Sequence, residues 1–195
     1  MFVITADQVG SRLGTDLVAA AIDAINTGPT RPVLAADRTV GDEFQVLVAN
    51  GTDALGVVLQ LARSGHWSIG CGVGEVGTPL PRGIREASGP AFIAARSAVE
   101  RAKKRPTRFA IEQEPSTRGA ADAEALLDLL LIVRSRRSPE GWELYDLLEL
   151  GLSQADAAAR LDITPQAVSL RAKAAELRAD AAAREPLARI LDGLE

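Results

Sequence analysis

The stretch Val40-Gly41-Asp42-Glu43-Phe44-Gln45-Val46 sets two acidic side chains side by side between two apolar-rich segments, residues 32–40 and 44–49. A Gly-Asp pair between two such segments is typical of a two-residue hairpin turn, because glycine accepts the positive φ of a primed turn. The sequence therefore predicts a β-hairpin. Its tip leaves Asp42 and Glu43 without partners in the strand ladder.

A third carboxylate, Asp7, ends an earlier apolar segment, Phe2–Ala6, that favours a short β-strand. If this strand lies beside the hairpin, Asp7, Asp42 and Glu43 gather at one edge of the sheet. Hard divalent cations prefer carboxylate oxygens, so Mg²⁺ is the cation we expect there. The alternative is structural: Asp42 and Glu43 pair with Arg12 or Arg38 and hold the sheet edge.

Composition limits the classes of function. The chain has 195 residues, of which 47% are hydrophobic, and a net charge of −4. It can bury a core, but any contact with nucleic acid must come from a local basic patch. The single cysteine excludes an internal disulfide bond. The N-terminus lacks a basic region, and no segment approaches the roughly 18 apolar residues of a membrane span, so we expect a cytoplasmic protein without membrane contact.

Hydrophobic periodicity predicts the order βαββαβαβ for residues 1–114, an α+β domain with helices packed on a mainly antiparallel sheet. The strand predicted at Trp67–Val76 is rich in glycine. Glycine weakens a strand interior, which indicates that another part of the backbone approaches closely there. A helical connector follows at residues 115–137. Its segment Leu126–Val133 is apolar nearly all round, so we expect burial between domains or in a homodimer.

Residues 138–195 form the third predicted domain. Ser138-Pro139, Ser153…Asp156 and Thr164-Pro165 are helix starts, each with a capping residue. The segment 138–177 resembles the trihelical helix-turn-helix of sigma-factor region four. That resemblance implies DNA binding by a helix at Pro165–Leu177. The side chains expected to face DNA are Gln166, Ser169, Leu170, Arg171 and Lys173.

The first 113 residues resemble the GGDEF and class III nucleotidyl cyclase domains, on Asp7, Gly41-Asp42-Glu43-Phe44, Trp67-Ser68-Ile69-Gly70 and Ala102-Lys103. The further features Ser11-Arg12, Gln45 and Gly89-Pro90-Ala91-Phe92…Ala95-Arg96 resemble the SatD family, whose members commonly end in a helix-turn-helix. The resemblance implies a palm-like, ferredoxin-like fold.

This resemblance also implies a nucleotide site. Asp7 with Glu43 or Asp42 would hold Mg²⁺ beside a nucleotide triphosphate, and Lys103 would meet phosphate charge. Arg12 and Lys104 are further candidates for phosphate contacts. Lys104 belongs to a basic cluster that also holds Arg101, Lys103, Arg105 and Arg108.

The sequence favours a cytoplasmic DNA-binding transcriptional regulator whose cyclase-like N-terminal domain senses a ligand or assembles. One alternative is a Mg²⁺-dependent nucleotidyl-cyclase-like enzyme or nucleotide-binding protein. Another is an interaction protein that dimerises through Leu126–Val133. Catalysis is the less favoured of these expectations, because no candidate base or nucleophile stands beside the acids.

Overall fold

Five strands form one mixed sheet in the order β2-β3-β1-β4-β5 in the computed structural model, which describes residues 1–11 and 14–194. The strands are β1 Phe2–Gln8, β2 Leu34–Arg38, β3 Glu43–Val48, β4 Trp67–Val73 and β5 Phe109–Gln113. Strands β4 and β5 run parallel, and the three other neighbouring pairs are antiparallel. The predicted α+β class is confirmed.

Three helices alternate with the strands, and five more follow them in the described part of the chain. They are α1 Val18–Thr27, α2 Gly51–Ser64, α3 Pro90–Ala102, α4 Arg118–Ser135, α5 Pro139–Glu149, α6 Gln154–Leu161, α7 Pro165–Ala174 and α8 Leu177–Asp192, with a short 3-10 turn at Ile84–Glu86. The helix expected at Pro165–Leu177 is shorter than predicted, because Glu176 adopts a positive φ of 52° and α8 begins after it. No helix in the described ranges combines the length and apolarity needed to span a membrane.

The hairpin tip forms around Gly41, as its sequence indicates. Glu43 N–H donates a 3.1 Å hydrogen bond to Val40 O, and Gly41 has a φ of 62°. Arg38 lies opposite Phe44, and the Thr39 N–H donates to Glu43 O at 2.9 Å. The loop therefore holds three residues, 40–42, rather than the two predicted.

Helix α2 begins at Gly51, directly after its capping residue. The Asn50 side chain accepts a 2.8 Å hydrogen bond from the Asp53 N–H and so caps the helix. The Gly51 N–H donates to the Asp192 carboxylate of α8 at 2.5 Å. The end of the chain thus supplies a second acceptor to this helix N-terminus, where free N–H groups otherwise lack partners.

Helix α3 crosses β4 at its glycines. A Cβ atom on Gly70 would lie 2.3 Å from Val99 N, and one on Gly72 would lie 2.1 Å from Ala91 O. Both distances are far below van der Waals contact, so a side chain at either position would force α3 away from the sheet. The close approach expected from the glycine-rich strand is therefore present, and the neighbour is α3.

The described chain divides into two compact units. The first unit comprises Met1–Asp128 and the residues from Glu185 onward, and it contains the sheet. The second unit comprises Leu129–Arg184. These bounds do not coincide with the predicted domains 1–114, 115–137 and 138–195, because α4 and α8 each contribute residues to both units.

We predict that Gly70→Ala lowers the free energy of unfolding by about 1–3 kcal/mol or more, because the added methyl group overpacks the contact between β4 and α3. Urea denaturation followed by circular dichroism measures the change. Gly83→Ala is the matched control, since nothing lies within 4 Å of the Cβ position and its φ is −127°. Equal stability of the two variants would contradict the close packing of α3 on β4.

Candidate functional site

Asp7 and Glu43 lie opposite each other in the ladder between β1 and β3, and Thr5 and Gln45 are the next pair on the same face. Side chains of directly opposite residues in an antiparallel ladder are close neighbours. Gln45 Nε2 donates a 3.1 Å hydrogen bond to Thr5 Oγ1, in line with this geometry. The fold thus brings together two of the three carboxylates predicted to bind a metal ion.

Asp7 has a cationic partner at the C-terminal end of α3. Lys103 Nζ lies 3.0 Å from Asp7 Oδ2 and 2.7 Å from Glu100 Oε1. Burial alone would lower the pKa of Lys103, but hydrogen bonds to Glu100 and Asp7 outweigh it and raise the pKa above its ordinary value. Lys103, the predicted phosphate contact, is therefore a charged partner of the carboxylate predicted to bind the metal.

Glu43 also has partners within the protein. Thr39 Oγ1 donates to Glu43 Oε1 at 2.7 Å, and Arg96 Nη2 lies 3.7 Å from the same oxygen. Within residues 1–11 and 14–194, no group of three or more His, Cys, Asp or Glu side chains could hold a metal ion. Mg²⁺ binding stays a prediction, and the adjacent Asp7 and Glu43 are the residues on which it depends.

Asp42, the third carboxylate predicted to bind a metal ion, lines a pocket of about 310 Å³ beside the hairpin tip. Its lining consists of Gln8, Ser11, Gly14, Asp16, Arg38, Gly41 and Asp42. Arg38 Nη2 lies 2.5 Å from Asp16 Oδ2, and its Nη1 donates to Gly41 O at 2.8 Å. The hydrogen bond from Arg38 lowers the pKa of Asp16. Arg38, considered as a partner for Asp42 or Glu43, thus pairs with Asp16, and Arg12 lies outside the described residues.

The basic cluster at the C-terminal end of α3 and just after it is largely engaged in internal ion pairs. Arg101 Nη2 lies 2.6 Å from Glu124 Oε2, and Arg105 Nη1 lies 2.8 Å from Glu124 Oε1. Burial alone would raise the pKa of Glu124, but the hydrogen bond from Arg101 and other partners outweigh it and lower the pKa. Of the two lysines predicted to contact phosphate, Lys103 is half-buried and paired, whereas Lys104 is exposed.

In the second unit, α5, α6 and α7 pack around a small core. Its fully buried members are Leu144, Ala157, Ala158 and Val168, with Leu147, Leu148, Leu161, Ile163, Ala172 and Leu177 packed against them. Ser153 and Asp156 form a reciprocal capping box at the start of α6, as their spacing indicates. Asp162 ends α6 with φ 53° and ψ 44°, the left-handed conformation that Asp tolerates better than most residues.

The outer face of α7 carries four of the five side chains predicted to contact DNA. Gln166, Ser169, Leu170 and Lys173 are all exposed and recur at helical spacing. Arg171 differs, because its Nη1 donates to Glu143 Oε2 of α5 at 3.1 Å. The structure therefore presents an exposed face on α7 with three polar side chains and Leu170, whereas Arg171 is directed toward α5.

A buried ion cluster in the second unit has no counterpart in the sequence analysis. Asp180 is only 1% exposed. Its Oδ2 accepts hydrogen bonds from Arg134 at 2.6 Å and Arg137 at 2.7 Å, and its Oδ1 accepts one from Arg184 at 2.9 Å. Only the spacing of Asp180 and Arg184, four residues apart on α8, could have indicated part of it from the sequence.

Aromatic rings cover the guanidinium groups of this cluster. The Arg137 Cζ atom lies 4.4 Å from the centroid of the Trp142 ring and 4.9 Å from that of Tyr145. Such contacts stabilise a cation that is removed from water. Burial alone would raise the pKa of Asp180, but the hydrogen bond from Arg137 and the charges of Arg134 and Arg184 outweigh it and lower the pKa.

No protein-family model, curated protein or solved structure matches this chain.

We predict that Asp180→Asn destabilises the second unit by about 3–5 kcal/mol, because it leaves the buried guanidinium groups of Arg134 and Arg137 beside a neutral side chain. The measurement is chemical denaturation monitored by tryptophan fluorescence in a Trp67→Phe background, so that the signal comes from Trp142. Asp122→Asn, at an exposed position of α4, is the control and should change stability little.

The same variant should change the response to acid. Asp180 has a lowered pKa when folded, so its contribution to stability is fully present above the unfolded value of about 3.9 and is lost as pH falls through the folded value. The loss of stability below about pH 4 should therefore be shallower in Asp180→Asn than in the native chain. Identical slopes would contradict the proposed role of the carboxylate.

Proposed function

We propose that this chain is a cytoplasmic, sequence-specific DNA-binding transcriptional regulator. Helices α5, α6 and α7 act as a helix-turn-helix, with α7 as the recognition helix that enters the major groove. The sheet-containing unit acts as a palm-like domain that senses a ligand or assembles the protein. We also propose that the chain belongs to the SatD family. The support for this is the set of motifs around residues 41–45 and 89–96 in the sequence.

The observation that carries the proposal is the exposed polar face of α7. Gln166 lies in the first turn of that helix, where recognition helices contact base edges, and Lys173 lies two turns further along, within reach of phosphates. Glutamine reads adenine through paired hydrogen bonds. The cap by Thr164, which accepts from the Ala167 N–H at 3.2 Å, fixes the start of the helix.

The balance of charges in the second unit favours binding that depends on contacts to bases more than on general attraction to phosphate. Residues 129–184 contain eight acidic and eight basic side chains. Arg171 is partly neutralised by Glu143, whereas Lys173 and Arg160 are exposed. We therefore expect weak non-specific binding by one subunit and a shallow dependence on salt.

The alternative is Mg²⁺-dependent binding or turnover of a nucleotide by the sheet-containing unit. The juxtaposition of Asp7 with Glu43 and the position of Asp42 at the hairpin tip favour it. A metal ion would have to displace Lys103 from Asp7, since both compete for the same carboxylate. That competition makes the DNA-binding function the better supported of the two.

We predict that selection of bound duplexes from a random library by the native chain yields an enriched sequence. Gln166→Ala should weaken binding to it by about 1–3 kcal/mol and relax the preference at one base pair, because a base contact is lost. Lys173→Ala should weaken binding to all duplexes and reduce the salt slope by about one. Fluorescence anisotropy with labelled duplexes measures both effects.

Lys104→Ala is the matched control for Lys173→Ala, since Lys104 is an exposed lysine of the sheet-containing unit. It should leave affinity and salt slope unchanged. Unchanged binding by both Gln166→Ala and Lys173→Ala would show that α7 does not contact DNA and would overturn the proposal.

We also predict that the chain is a homodimer, with α4 at the interface. Leu129 on α4 is 61% exposed, and Leu126 and Ile132 are exposed on the same helix. Leu129→Glu should convert a sedimenting dimer into a monomer at micromolar concentration, because it buries a charge in the interface. Leu150→Glu, at a position that is 77% exposed after α5, is the control. A native chain that sediments as a monomer would contradict the prediction.

A further inference from the structure

A pocket of about 490 Å³ opens between the hairpin, α3 and the 3-10 turn. Its volume falls in the range of small-molecule sites in proteins. The lining consists of Thr39, Val40, Gln45, Ile84, Arg85, Ala87, Ser88, Gly89, Phe92, Ile93 and Arg96. Asp42 is absent from this lining, so the pocket is separate from the one at the hairpin tip.

The apolar part of the pocket wall is held in place by the core. Ile84 is 1% exposed and belongs to a buried core cluster, against which Phe92 and Ala87 pack. The loop that carries this wall is closed by a 2.8 Å hydrogen bond from the Gly77 N–H to Ser88 O. A site with fixed walls binds without a large ordering cost.

A buried amide lies among these apolar walls. Gln45 is 6% exposed and lines the pocket, and one of its N–H groups donates to Thr5 Oγ1. A glutamine amide has two N–H donors and an acceptor oxygen, so capacity remains for a ligand. A buried polar group beside apolar side chains is typical of pockets that orient a small molecule.

The charges at the pocket favour a singly charged anion. Its lining includes two cations, Arg85 and Arg96, and no carboxylate. Glu43 lies 3.7 Å from Arg96 and offsets one of the two charges. Both arginines are exposed, so their planar guanidinium groups can meet a carboxylate from solvent. The excess of about one positive charge matches a carboxylate better than a phosphate dianion.

Two segments that are far apart in the sequence meet at this pocket. Residues 40–46 contribute Val40 and Gln45, and residues 89–96 contribute Gly89, Phe92 and Arg96. Neither the internal ion pairs of the sheet edge nor the DNA-binding face of α7 explains why Phe92 and Gln45 line a common cavity.

We propose that this pocket binds a small organic carboxylate with an apolar body, its carboxylate at Arg96 and Arg85 and its body against Phe92 and Ile84. A ligand whose body carries a polar group would bond it to the Gln45 amide, whereas a wholly apolar body such as that of phenylacetate lies beside this amide. Occupancy does not depend on the DNA-binding proposal, because the pocket lies within the sheet-containing unit.

The test is a titration of the isotopically labelled full chain with phenylacetate and octanoate, followed by amide NMR spectra. We expect saturable shifts at the Gln45 side chain and at the backbone of Phe92 and Arg96. Arg96→Gln should weaken binding by about tenfold or more, because it removes the charge and the guanidinium donors of a charge-assisted hydrogen bond. Arg82→Gln, an exposed arginine outside the lining, should bind like the native chain.

Comparing the affinity for phenylacetate with that for a neutral and a dianionic molecule of similar shape shows whether the pocket selects a carboxylate. Phenylethanol should bind at least several-fold more weakly than phenylacetate, and phenyl phosphate should bind no more tightly. Equal binding of the alcohol, tighter binding of phenyl phosphate, or shifts that fail to saturate with both carboxylates would each overturn the proposal. Native affinity in Arg96→Gln would overturn it as well, whatever the outcome for DNA binding.

Discussion

The close approach of α3 to the glycines of β4 is the constraint on which the sheet-containing unit depends. With hydrogen in place of a side chain at Gly70 and Gly72, the α3 backbone lies directly on the strand. That position carries Lys103 to Asp7 and Arg96 to Glu43, so the charges of the sheet edge are set by the packing of one helix. The same helix forms one side of the 490 Å³ pocket.

Local features of the structure could be predicted from the sequence because their causes are local. Gly41 provides the positive φ of the hairpin tip, Ser153 and Asp156 cap each other, and Asp162 takes the left-handed conformation that ends α6. Each signal involves residues within a few positions of one another. The α+β class followed from the same signals, since a hairpin and regularly spaced apolar faces leave few ways to form a layered core.

Long-range partners could not be predicted, because nothing local determines which charges meet. Arg134 and Asp180 are 46 residues apart in the chain and form a buried ion pair, and Arg171 pairs with Glu143 across 28. Arg171 and Lys173 are both basic residues of the same predicted helix, so the sequence predicted DNA contact for both. In the structure, Lys173 is exposed, whereas Arg171 is partly buried. The two surfaces that we propose as functional, the outer face of α7 and the 490 Å³ pocket, consist mainly of side chains that these internal pairs leave exposed.

The claim that α7 contacts DNA is tested most directly by adding a duplex to the native, isotopically labelled chain and mapping the amide shifts by NMR. The account predicts that the largest changes fall within 164–174, at the exposed positions Gln166, Ser169, Leu170 and Lys173, with smaller changes on α6. Changes confined to the sheet-containing unit, or none at any duplex concentration, would contradict it.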